Sequence, residues 1–127
     1  MKSTRVLLAV LAAGGSQAVR GAELSFNRDI RPILSDNCFH CHGFDPNKRK
    51  GDLRLDTPEG AYGKGKSGAI GIKPGDPDAS EVWKRLITDD EDDLMPPKDS
   101  HKVLTEAQKQ KIRQWIAEGA KYQSTGR

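Results

Sequence analysis

Two thiols three positions apart, with an imidazole directly after the second, stand at Cys38-Phe39-His40-Cys41-His42. This is the spacing that c-type haem attachment needs. Each thiol can add its S–H across one vinyl group of a haem, and the short turn lets both sulfurs reach the same edge of the ring. His42 is then held under the iron as the proximal ligand. Two other chemistries also use C-x-x-C. A redox dithiol works through a thiol of lowered pKa, and a zinc site needs two further ligands. A thioredoxin-like dithiol should follow a buried strand and open a helix, whereas here an apparent helix precedes the motif and Gly43-Phe44-Asp45-Pro46 follows it. Zinc is short of ligands, because Cys38 and Cys41 are the two cysteines of the chain and His101 is the one histidine outside the motif.

A second ligand to the iron would come from the far side of the ring. Met95 stands in Leu94-Met95-Pro96-Pro97. A methionine there can fill a core gap, but two prolines stiffen the chain and remove backbone donors, which suits a loop that holds one side chain in place. A thioether opposite His42 would complete six-coordinate iron and raise its potential relative to a second histidine. Met95 is therefore the expected distal ligand, with His101 as its rival; the plainer account of His101 is a solvent-facing side chain beside Asp99, Ser100 and Lys102.

Several elements must position these residues. Phe26, Ile30, Ile33 and Leu34 recur at helical spacing before Cys38. Ser25 or Asn27 could cap that helix. Pro32 fits if the helix begins about a residue earlier after an extended stretch. From Gly43 to Pro77 the chain is dense in glycine and proline, a long loop of the kind that is uncommon unless it serves a function; wrapping a haem edge would account for it. Within it, Leu53-Arg54-Leu55 alternates like a short strand, and Thr57-Pro58-Glu59 starts a helical turn with proline in first position. Asp78-Ala79-Ser80-Glu81 reads as a capping box for an amphipathic stretch carrying Val82, Trp83, Leu86 and Ile87. Thr105 and Gln108 form a second capping box, ahead of a helix with Ile112, Trp115 and Ile116 on one face and Gly119 at its end. Trp115 should pack it against Phe26 and Ile30. The tail from Gln123 should be mobile.

Gly60-Ala61-Tyr62-Gly63-Lys64-Gly65-Lys66-Ser67 satisfies the phosphate-loop pattern G-x-x-x-x-G-K-S. That pattern works when a strand precedes it and a helix follows whose N-terminus faces the phosphates. Gly68, Gly71 and Pro74 follow here, so the match reads as chance, and no nucleotide partner is expected.

Lys2 and Arg5, the apolar run from Val6 to Ala13 and the small residues after it form a secretory signal pattern over residues 1–22, with a cut between 18 and 22. The run is too short to span a bilayer. Residues 23–127 then make one domain, with a periplasmic location expected. Removing Lys2, Arg5 and Arg20 takes the 21 basic residues to 18, matching the 18 acidic ones, so the formal charge of +3 belongs to the precursor and gives no reason to expect nucleic-acid binding. About 105 residues (127 − 22) remain. A domain that small buries a limited share of its surface, so the haem-free chain should be poorly folded.

The segments FNRDIRPILSDNCFHCHGFDP, GDLRLDTPEGA, KPGDPDASEVWKRL, DLMPP and LTEAQKQKIRQWIAEGAKY, in that order, resemble the planctomycete-type cytochrome c domain, a relative of class I cytochromes c. The resemblance runs from Phe26 to Tyr122. It implies an all-α fold, a small class I cytochrome c-like helical domain around one covalent haem c on Cys38 and Cys41, with His42 proximal, Met95 distal and terminal helices that cross. In that family the domain commonly opens a much longer exported protein, so this chain is either a free-standing carrier or a piece of a larger one.

The expected function is electron transfer: no substrate is transformed, and the iron cycles between ferrous and ferric. Redox partner proteins would dock at the haem edge or on Asp89-Asp90-Glu91-Asp92-Asp93, an acidic run whose plainer reading is a solvated loop ending a helix. The protein should be a monomer. The alternatives are a haem-based sensor or ligand-binding module, which needs a weak or absent sixth ligand, and a thiol–disulfide oxidoreductase using Cys38 and Cys41.

Overall fold

The computed structural model describes residues 24–124, so the signal pattern lies outside the described residues. Among these residues the fold is helical, with no strand beyond one isolated antiparallel bridge between Lys64 and Ile70. Its helices are α1 (Arg31–Asn37), α2 (Pro58–Tyr62), α3 (Glu81–Ile87) and α4 (Glu106–Ala117). A π-helical turn, Phe26–Ile30, leads directly into α1, and 3₁₀ turns stand at Pro77–Ala79 and Lys98–Ser100.

Pro32 explains the join between the π turn and α1. It has no N–H to give the Arg28 carbonyl, and its ring would crowd that oxygen in an α-helix. The turn before it is widened instead, with the Arg31 N–H reaching back to the Phe26 carbonyl. The stretch before Pro32 is thus helical rather than extended, while α1 does begin one residue before the proline. Neither Ser25 nor Asn27 caps it. The Ser25 N–H donates to the Asp29 carboxylate at 2.9 Å, and the Asn27 side chain donates to the Ser124 carbonyl at 2.9 Å.

The core forms where this first helical stretch meets α4. Ile30, Leu34, Ile72, Ile112 and Ile116 are fully buried there, each worth about 1.5–3 kcal/mol relative to exposure. The rings of Phe26 and Trp115 lie 5.6 Å apart, as expected for the two helices. The Thr105–Gln108 capping box forms in both directions. At the other end Gly119, at φ 112°, turns the chain back, and the Gly119 and Ala120 N–H groups reach the Ile116 and Trp115 carbonyls. The tail begins tied down rather than loose: Gln123 Oε1 accepts from Ser25 Oγ and from the Asn27 N–H, both at 3.0 Å.

Caps in the middle of the chain differ from the sequence expectation. Asp76, not Asp78, caps the 3₁₀ turn by accepting the Ala79 N–H at 3.1 Å. Ser80 precedes α3 without capping it; its buried hydroxyl takes the Lys73 N–H and donates to the Asp76 carbonyl, both at 2.8 Å. Leu53–Leu55 joins no helix or ladder. It keeps the expected alternation, with Leu55 buried and Arg54 turned to pair with Asp56 at 2.6 Å. Trp83 is core, under the Arg113 guanidinium at 5.3 Å.

Candidate functional site

The cysteine motif is a tight turn hung on the end of α1. Cys38 is the C-cap of that helix, and its carbonyl accepts the N–H groups of both Cys41 (3.2 Å) and His42 (2.8 Å). Later carbonyls of the turn are also engaged: Cys41 accepts the Lys50 N–H at 2.8 Å, His42 accepts the Leu55 N–H at 2.7 Å, and Gly43 accepts Arg49 Nε at 3.0 Å. Gly43 is required by close approach. A Cβ there would lie 2.2 Å from the Phe39 carbonyl oxygen. The motif is therefore held by its backbone, leaving its side chains to do chemistry.

His42 is oriented by a bond the sequence did not reveal. Its Nδ1 lies 3.2 Å from the Leu53 carbonyl oxygen. A carbonyl can only accept, so Nδ1 carries the proton and Nε2 keeps the lone pair that a metal needs. Burial lowers the pKa of this imidazole, against the opposing pull of the Leu53 and Lys50 backbone, and Arg85 lowers it further. The ring is held neutral.

Cys38, Cys41, His42 and Met95 all line one cavity of about 300 Å³, at the lower end of the range for ligand sites. Leu53, Leu55, Val82 and Leu86 supply apolar wall, and Gly51, Gly65 and Gly71 of the glycine-rich loop form part of it. Gly71 is needed there, since a Cβ would come within 2.8 Å of both the Ala61 carbonyl oxygen and Leu53 Cδ1. Both cysteines are free. Two thiols, one imidazole with Nε2 unprotonated and one thioether around an apolar space are the donor set of a haem c site, so the residues present fit that group.

Met95 reaches the cavity from a loop suspended on α3. The Met95 N–H donates to the Arg85 carbonyl at 3.0 Å, the next peptide bond, Met95–Pro96, is cis, and Pro96 is buried. The Arg85 side chain lines the cavity and spans from Glu81 (3.0 Å) to Asp93 (3.6 Å). Sequence reasoning passed over Arg85, although it lies on the same side of α3 as Val82 and beside Leu86. His101 is exposed, at φ 57°, and does not line the cavity although Ser100 and Lys102 do.

The thiols are not set up for disulfide exchange. Low-pKa thiols favour helix N-termini, whereas Cys38 sits at a helix C-terminus. Burial, reinforced by Cys41, pushes its thiol up to about 12. The phosphate-loop pattern has the wrong context as well: helix α2 runs into it, no helix opens after it, and Gly65 and Ser67 line the same cavity as the cysteines.

Residues 38–99 match the planctomycete cytochrome C family. That span is 62 of 127 residues (99 − 38 + 1), and over it the resemblance read from the sequence is shown. The cytochrome match begins at Cys38, so it encloses both thiols, His42, the glycine-rich loop, α3 and Met95, and it stops before α4. No curated protein and no solved structure matches the chain.

Proposed function

We propose that this protein is an exported monohaem c-type cytochrome that carries electrons, with haem c bonded to Cys38 and Cys41 and its iron between His42 and Met95. The observation that carries this reading is the meeting of those four side chains on one apolar cavity, inside the span that matches the cytochrome family. A bound haem supplies one-electron chemistry at its iron, cycling between ferrous and ferric. The residues of the chain fix and insulate it. Cys38 and Cys41 anchor one edge from a turn in which the Cys38, Cys41, His42 and Gly43 carbonyls are engaged. The Leu53 carbonyl sets the direction of Nε2 on His42, and the Arg85 carbonyl holds the backbone of Met95. With both axial donors held by backbone bonds, little rearrangement accompanies a change of charge.

The glycine-rich loop wraps the cofactor, which its place in the cavity wall supports. The signal pattern of residues 1–22 supports export to the periplasm. No helix among the described residues is long and apolar enough to cross a membrane. Redox partner proteins dock at the open cavity edge or, if basic, on the run from Asp89 to Asp93; the run is exposed, and Asp93 reaches the cavity wall through Arg85. Carbon monoxide separates this carrier from a ligand-binding haem module. A reduced protein that binds it sluggishly or not at all has its sixth position filled, whereas rapid binding would contradict the Met95 assignment.

A further inference from the structure

The segment Leu53–Leu55 holds the imidazole of His42, yet no ladder or helix holds the segment itself. Its bonds run in two directions. Toward the motif, the Leu53 carbonyl takes His42 Nδ1 and the Leu55 N–H donates to the His42 carbonyl at 2.7 Å. Away from it, the Leu55 carbonyl accepts the hydroxyl of Tyr122 at 2.7 Å. Tyr122 lies 67 residues further along the chain and outside the span that matches the cytochrome family.

Tyr122 is itself fixed. Its ring lies 4.6 Å from Phe26, 5.3 Å from Trp115 and 6.1 Å from Tyr62, centroid to centroid. The chain leading to it is folded back after α4, with Trp115 Nε1 donating to the Lys121 carbonyl at 3.0 Å and the Tyr62 hydroxyl donating to Ala120. Burial, with smaller contributions from Tyr62, Asp56 and Cys38, raises the phenol pKa, so the hydroxyl stays a donor.

We propose that Tyr122 is a positioning residue for His42: its hydroxyl, bonded to the Leu55 carbonyl, holds Leu53–Leu55 against the motif and so keeps the Leu53 carbonyl on His42 Nδ1. This rests on His42 being the proximal ligand. A bond from the free ring nitrogen of a ligating histidine to a carbonyl fixes the ring and raises its basicity as a donor. Removing the hydroxyl loosens that bond, and a less basic imidazole stabilises the ferric state less. The packing of the terminal helices thereby reaches the iron through one hydroxyl and one backbone segment.

The test compares haem-loaded wild type, Tyr122→Phe and Tyr62→Phe by voltammetry and by NMR of the reduced proteins. Tyr122→Phe keeps the ring; it should shift the reduction potential upward and speed solvent exchange of the His42 ring N–H. Tyr62→Phe removes a neighbouring hydroxyl that bonds Ala120 rather than Leu55 and bears on Tyr122 only through the chain leading to it, so its effects on both should be clearly smaller. An unchanged potential and exchange rate in Tyr122→Phe would overturn the proposal and leave the cytochrome reading intact, as would equal shifts in both variants. A wild type that takes up no covalent haem would overturn the cytochrome reading and this proposal with it.

Discussion

The Met95 N–H donates to the Arg85 carbonyl at 3.0 Å, which hangs the thioether loop from the last turn of α3. That bond fixes the backbone of Met95 without engaging its sulfur. Replacing the side chain should then remove a ligand while leaving the loop in place. Met95→Ala is expected to lower the reduction potential and open the iron to carbon monoxide, as measured by voltammetry and absorption spectroscopy. A wild-type potential and ligand-field spectrum in the variant would remove Met95 from the site.

Gly43 tests whether the motif turn depends on close backbone approach. Its missing side chain leaves room for the Phe39 carbonyl, and a methyl group would stand 2.2 Å from that oxygen. The neighbour is backbone, so the turn itself must shift. Gly43→Ala should cost about 1–3 kcal/mol, as overpacking does, and lower the yield of haem-loaded protein. Chemical denaturation and the haem-to-protein absorbance ratio measure the two effects.

The capping box on α4 makes a purely structural prediction. The Thr105 hydroxyl accepts the Gln108 N–H at 3.1 Å, and Gln108 Oε1 accepts the Thr105 N–H at 2.9 Å. Thr105→Ala should lower stability by about 1 kcal/mol in denaturant unfolding. The potential should not move, because the box lies at the end of α4 remote from Tyr122.

Asp29 gives the fold an acid dependence. The Arg28 guanidinium, then the Ser25 N–H, hold its carboxyl at about 2, against about 3.9 in an unfolded chain. A depressed folded pKa contributes stability that is present above the unfolded value and is lost as pH falls from about 3.9 toward 2. Asp29→Asn should therefore be less stable than wild type at pH 7, with the difference closing as pH approaches 2. An equal deficit at both pH values would mean that the charge is not what matters.

The four side chains that meet on the cavity stood out in the sequence by type and local spacing. Cys38, Cys41 and His42 declare themselves within five positions, and Met95 by the prolines after it. Thr105 and Gln108 announced α4 because a capping box is a local pattern, and Gly119 its end, because a left-handed turn selects glycine. What stayed hidden depends on contacts between distant segments. The Leu53 carbonyl is a backbone atom that any residue would supply, so no side chain marks it as the partner of His42. Tyr122 stood just before the expected tail with no role of its own, since its bond to Leu55 exists only once α4 has packed on Phe26. Asp78 fitted a capping box with Glu81 by type and spacing, but Asp76 takes the cap and the buried Ser80 hydroxyl bonds Lys73 and Asp76 instead. The phosphate-loop match failed for the complementary reason: its residues fit and its setting, behind α2 with no helix following, does not.

The central claim is that Cys38 and Cys41 hold a haem covalently. The most direct measurement is the intact mass of the denatured, unreduced protein, recovered from the periplasm of a host with c-type maturation machinery. The polypeptide mass plus one haem is the expected result, and replacing either cysteine by alanine should reduce attachment to one bond. A polypeptide two hydrogens lighter, with no haem, would mean a disulfide between Cys38 and Cys41 and would contradict the account.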